Sequence, residues 1–184
     1  MIISEHWPTA IGQVNFEQPG LLEYLLSTYD IKNMNDHDNN ILDSSSDIIK
    51  SFRDSIYNSV DDYILITSNV NSKKYNVNIK GWVTGSIRGY SMIEHNHSGA
   101  HFSAVYYVLC ETENQGGEIH MTDPRSNANR GYPIDFQHLY SPVKIQPKSG
   151  DLIIFPSFLY HYVSAYHQQN RIAIPIDIYL EDRS

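Results

Sequence analysis

Residues 143–165 read VKIQPKSGDLIIFPSFLYHYVSA, three short apolar or β-branched runs separated by turn residues. Val143 to Ile145, Leu152 to Phe155 and His161 to Ala165 have the length of strands. Pro147, Gly150-Asp151 and Pro156-Ser157 supply the chemistry that ends one run and starts the next. Gly150-Asp151 before Leu152-Ile153-Ile154-Phe155 is a turn into a buried strand, a folding feature rather than a functional one.

The same pattern extends upstream and downstream. Tyr75 to Val83, Tyr90 to Glu94, Phe102 to Leu109, Glu118 to Met121 and Ile172 to Tyr179 bring the total to eight runs, the strand number of a double-stranded β-helix, or jelly roll. Before residue 73 the period changes. Leu21, Leu22, Leu25, Leu26 and Tyr29 recur at helical spacing after Pro19-Gly20. Ile48, Ile49, Phe52, Ile56, Val60, Tyr63 and Ile64 form a second stripe that begins near Ser46, with Asp47 in the first turn. Asp30 to Ser46, rich in Asn, Asp and Ser, reads as a mobile surface connection. The expected fold is mainly β: a jelly-roll core over 73–182 with two N-terminal helices, within 1–72, packed on one outer face. All of 1–184 forms one domain.

Composition narrows the function. A formal charge of −8 works against non-specific attraction to nucleic acid or anionic membrane, and no apolar run approaches the ~18 residues of a spanning helix. One cysteine, Cys110, ends an apolar run and reads as a small core residue. With no partner for a disulfide and no signal-like start, the chain is expected in a reducing cytoplasm.

The chemistry lies in the histidines. His95-Asn96-His97 stands at a strand end, where residues i and i+2 share a face, and His161 can bring a third imidazole from a neighbouring strand. Arg171, ten residues beyond His161, offers a planar fork suited to the far carboxylate of a diacid. A first-row metal such as iron together with a diacid suggests a 2-oxoglutarate oxygenase. His101 is a rival ligand across the Ser98-Gly99-Ala100 loop, and an H-x-G reading of His97 and Gly99 would remove His95 from the ligand set. Glu94 has the wrong strand parity, and His120, His138 and His167 read as surface or core residues.

Residues from about Tyr90 to Leu180 resemble the Fe(II)- and 2-oxoglutarate-dependent dioxygenases, in their prolyl-hydroxylase-like branch and among the small oxygenases of phages and marine bacteria. The resemblance rests on pieces in series: His95-Asn96-His97, Ser103 to Val108, Gly116-Gly117-Glu118-Ile119, Asp123-Pro124-Arg125, Pro147 to Ser157, His161 and Arg171 to Ile174. It implies Fe(II) on His95, His97 and His161, with 2-oxoglutarate on Arg171 and on the hydroxyl of Tyr107. Tyr106 should face the other way. Pro175 replaces a hydroxyl that some relatives offer the cofactor. The implied reaction uses O₂ to hydroxylate a small-molecule or peptidyl substrate, a peptidyl or free amino acid above all. The family commonly supplies H-x-D/E…H, whereas His97 stands here where the acid usually stands. Three neutral ligands are expected to retain iron more weakly.

Asp123 and Arg125 read either as an Asp-capped turn or as a substrate rim. Trp82, Arg88 and Tyr90 could line the substrate mouth or simply pack. Two other functional classes use the same residues differently: a cupin-like metalloenzyme with three histidines and no 2-oxoglutarate, and a non-catalytic jelly-roll binding or structural module.

Overall fold

The computed structural model describes residues 2, 8–31, 35–110, 116–125, 143–168 and 170–183. Among these residues, ten strands form two antiparallel sheets: β1 (Gly12–Asn15), β2 (Tyr75–Gly81), β3 (Thr84–Ile87), β4 (Met92–His95), β5 (Phe102–Leu109), β6 (Ile119–Met121), β7 (Val143–Ile145), β8 (Asp151–Pro156), β9 (His161–Val163) and β10 (Asn170–Asp182). The larger sheet runs β1-β8-β5-β10-β2, with β3 also paired to β10. The smaller runs β4-β9-β6-β7. This is a mainly β, jelly-roll architecture. Its two α-helices are α1 (Leu21–Thr28) and α2 (Asp47–Ser68), and no helix is long and apolar enough to cross a membrane among the described residues.

Strand parity builds the core. On β10, Ile172, Ile174, Ile176 and Ile178 are buried with Ala104 and Tyr106 of β5 and Leu152 and Ile154 of β8, against Leu21, Leu25, Phe52, Ile56 and Val60 of the helices. The alternate residues Val105, Tyr107, Ile153, Phe155 and Ala173 face the smaller sheet, where they meet Ile119 and Met121. The larger sheet is therefore covered on both faces, which explains the unbroken apolar run of β8. On α2 the buried set is Ile49, Phe52, Ile56, Val60, Tyr63 and Ile64, an i, i+3, i+4 stripe whose side chains each contribute roughly 1.5–3 kcal/mol by burial. The helix ends at Asn69, in the left-handed region at φ 55°, and its N-terminal Asp47 pairs with Lys50 in solvent.

Two features differ from the sequence expectation, and a third, Pro175 in the expected strand, is accommodated by the local pairing. β1 and β3 escape the eight-run reading because GQVN and TGSI carry almost no apolar alternation, and long-range pairing with β8 and β10 makes them strands. The polar stretch 30–46 does more than connect. Ile41 and Leu42 are buried, and Asn40 accepts hydrogen bonds from the N–H groups of Leu42 (3.2 Å) and Gly81 (2.9 Å), which ties this segment to β2. Pro175 stands inside a central strand, but where β10 passes from β3 to β2. There the N–H of Trp82 donates to its carbonyl (3.1 Å), so the missing donor falls at a break in the ladder.

Candidate metal centre

β4 and β9 place His95 directly opposite His161, and directly opposed residues of an antiparallel pair point to one face. Their ring centroids are 4.4 Å apart. His97 follows β4. Its N–H donates to the carbonyl of Ser157 (3.1 Å), and its ring centroid lies 5.3 Å from each of the other two. One nitrogen from each ring lies within 4.8 Å of the others.

Every Nδ1 has an oxygen partner: Ile93 O for His95 (2.8 Å), Asp177 Oδ1 for His97 (2.6 Å) and Leu159 O for His161 (3.0 Å). An oxygen acceptor on Nδ1 puts the proton there and leaves the lone pair on Nε2, the tautomer a metal requires. Burial, helped by the neighbouring His95 and His97, lowers the pKa of His161 to about 4, so its imidazole is neutral at physiological pH. The chemistry of this donor set suits a divalent first-row ion.

A cavity of about 510 Å³ opens beside the three rings. Its floor is the cavity parity of β10, from Arg171 through Ala173, Pro175 and Asp177 to Tyr179. Arg171 is buried, and its Cζ lies 5.0 Å from the centroid of the Tyr107 ring. Nη1 of Arg171 donates to the Gly117 carbonyl (3.2 Å), but its Nε and the Tyr107 hydroxyl are buried with no hydrogen-bond partner among the described residues. Burial pushes the Tyr107 hydroxyl up to about 12, against the lowering influence of Arg171, so it remains a neutral donor. Two orphaned donors in one pocket are a receptor for a carboxylate, because an unpaired buried donor costs about 1–3 kcal/mol. The residues present therefore fit both a metal ion and an anionic diacid.

Trp82 lines the cavity, its ring 6.0 Å from that of His97 and edge-on to His37 at 4.7 Å; Tyr90 lines it as well. Arg88 is exposed and does not line it. Asp123 and Arg125 also lie off the cavity wall. The Asp123 carboxylate accepts the N–H of Arg125 (3.0 Å) and pairs with its guanidinium, the geometry of a capped turn. His101 turns away from the cluster to accept the N–H of Leu180 (3.1 Å), Glu94 accepts from Thr122, and His120 stacks on Tyr162 at 4.5 Å. His138 lies outside the described residues. Tyr106 does point the opposite way to Tyr107, its hydroxyl donating to Phe16 O (2.9 Å). Cys110 is buried and its thiol is pushed up to about 11 by that burial, an inert packing residue.

Sequence reasoning missed Asp177 and His37. A signal for Asp177 exists: it is the one acid inside Ile172-Ala173-Ile174-Pro175-Ile176-Asp177-Ile178, and it shares the parity of Arg171. For His37, within a polar loop, there is none.

Residues 80–177, just over half of the chain, match the family model described as "Putative 2OG-Fe(II) oxygenase". No curated protein matches the chain. Among solved structures it resembles the viral collagen prolyl hydroxylase of Paramecium Bursaria Chlorella virus-1 in its 2OG complex, with TM-score 0.58 and 14% identity over 91% of this chain and 94% of that one. It also resembles a Pseudomonas putida prolyl-4-hydroxylase, with TM-score 0.54 and 13% identity over 77% and 69%. A third is an oxidoreductase of the 2OG-Fe(II) oxygenase family from Burkholderia pseudomallei, with TM-score 0.52 and 12% identity over 73% of this chain. The match spans only 57% of that protein's length. At these identities the likeness is one of fold.

Proposed function

This chain belongs to the 2OG-Fe(II) oxygenase family, and we propose that it hydroxylates an amino acid, free or within a peptide, at the three-histidine centre. The carrying observation is that three imidazoles with free Nε2 atoms and two orphaned donors, Arg171 Nε and Tyr107 OH, share one cavity. In this reading His95, His97 and His161 hold Fe(II), and Arg171 and Tyr107 hold the distal carboxylate of 2-oxoglutarate. Bound together, iron and 2-oxoglutarate supply the oxidising power by which O₂ hydroxylates a C–H bond, with succinate and CO₂ as co-products.

The chain's own residues do the remaining work. Arg171 meets a carboxylate with a rigid fork, and its register on β10 sets the distance from that carboxylate to the imidazoles. Val105, Ile119, Val163 and Ala173 give the cavity an apolar wall that excludes water. Trp82, buried between His37 and His97, puts a flat aromatic ring on the cavity wall for a ring such as that of proline. The prolyl hydroxylases that share the fold support an amino-acid substrate.

The test is an anaerobic titration with Fe(II) and 2-oxoglutarate, followed by the charge-transfer band of a 2-oxo acid on Fe(II). Succinate release with free proline and with proline-containing peptides follows. Arg171→Lys should weaken 2-oxoglutarate binding, and Arg171→Ala should do so by roughly 2–5 kcal/mol. Absence of the band, or an Arg171→Ala variant that titrates like the parent, rejects the reading.

A further inference from the structure

Three imidazoles make a neutral ligand set, yet one of them is held unlike the other two. His95 and His161 each give Nδ1–H to the neutral backbone carbonyl two residues before them, Ile93 and Leu159. His97 gives its Nδ1–H to a carboxylate, Asp177 Oδ1, at 2.6 Å. That distance is in the short range of charge-assisted hydrogen bonds.

The carboxylate is itself built in. Asp177 is buried on β10, directly beside Ser103 of β5 in the register, and Ser103 Oγ lies 3.4 Å from the same Oδ1. The hydroxyls of Ser103 and Ser157, both buried, are 2.8 Å apart, and the Ser157 carbonyl accepts the backbone N–H of His97 at 3.1 Å. One buried polar chain, from β10 through β5 to the end of β8, therefore grips both the ring and the backbone of His97. Of the charged groups on the cavity wall, Arg171 is turned to Gly117 and Tyr107. Lys80, opposite Asp177 on β2, makes no ion pair among the described residues.

We propose that Asp177 supplies the negative charge that the ligand set lacks, so that the His97–Asp177 pair serves as one anionic ligand in place of the carboxylate commonly found at position 97 of this motif. The inference rests on the metal reading above. An imidazole whose Nδ1–H is bonded to a carboxylate is a stronger donor at Nε2, because charge flows to the ring as the proton is drawn toward the acceptor. The charge thus stands one residue away from the metal rather than on it, and the substitution at position 97 moves it without deleting it.

The deciding variant is Asp177→Asn, which keeps the shape and an oxygen acceptor for Nδ1–H but removes the charge. Parent and variant are titrated anaerobically with Fe(II) alone, then with 2-oxoglutarate, after a thermal unfolding scan shows that the metal-free variant is folded. Asp177→Ser, smaller and without steric demand, takes its place if the scan shows no cooperative transition. The expected result is a Kd for Fe(II) raised ~10–100-fold and a charge-transfer band moved to higher energy, since iron with a weaker donor holds its electrons more tightly. Unchanged affinity in a folded variant overturns the proposal. So does weaker affinity with an unmoved band, which would make Asp177 a structural anchor for His97 only. A parent that binds no Fe(II) instead rejects the metal reading itself.

Discussion

Gly117 and Arg171 meet at a distance that no side chain could share: the Gly117 carbonyl accepts Nη1 of Arg171 at 3.2 Å, and a Cβ on Gly117 would stand 2.9 Å from that same nitrogen. Gly117 also has φ +67°, a conformation costly for any L side chain. Gly117 therefore lets backbone reach the guanidinium, whereas a Cβ on Gly116 would collide with the Ala165 carbonyl. Gly117→Ala should push the fork off its axis and weaken 2-oxoglutarate about 10–100-fold, the loss of one charge-assisted hydrogen bond, while Fe(II) affinity measured alone stays near the parent's. Comparing the two titrations in this variant checks it.

Tyr107→Phe should move stability and ligand binding in opposite directions. Its hydroxyl is fully buried with no hydrogen-bond partner among the described residues, so its removal relieves a desolvation penalty and should stabilise the ligand-free protein by about 1 kcal/mol or more, read as a higher urea midpoint. Binding of 2-oxoglutarate should weaken by about 0.5–1.5 kcal/mol, the net worth of one hydrogen bond. A destabilised variant with unaltered binding would leave Tyr107 a packing residue.

Among the described histidines of the smaller sheet, one parity faces the three-histidine cluster. Met121 of β6 lies opposite His161, whereas His120 pairs with Tyr162 and stacks on it. His161→Ala should abolish stoichiometric Fe(II) binding and His120→Ala should leave it intact, as measured by metal content after anaerobic loading and gel filtration. Equal iron in the two variants would break the assignment.

Acid should loosen the metal-free fold through His161. Its folded pKa of about 4 lies below the ordinary 6.5, so between these values the unfolded chain binds a proton that the folded chain does not. Stability accordingly rises with pH across this window and is lost as pH falls from 6.5 toward 4, by roughly 3 kcal/mol for a shift of this size. Urea midpoints at pH 7 and pH 5 measure the loss, and His161→Gln should show less of it. A parent and a His161→Gln variant with identical pH dependence would locate the effect elsewhere.

What the chain determined by itself was whatever repeats at short range. Alternation over β5, β8 and β10, and the 3.6 period of α2, reported their elements because burial on a face recurs every second residue, or every third and fourth, and leaves a mark in any window. His95, His97, His161 and Arg171 were legible as well. H-x-H spacing put His95 and His97 on one side of a strand end, while joining His161 and Arg171 to them rested on the order of pieces in the family resemblance. Tertiary structure alone decided the rest. β1 and β3 became strands only by pairing with β8 and β10, and His37 came to Trp82 because residues 35–43 are tied down over β2. Asp177 came to His97 across 80 residues of chain because β10 packs beside β5, next to the end of β8. Local periodicity carries no trace of such contacts, since their free energy arises only once distant segments have met.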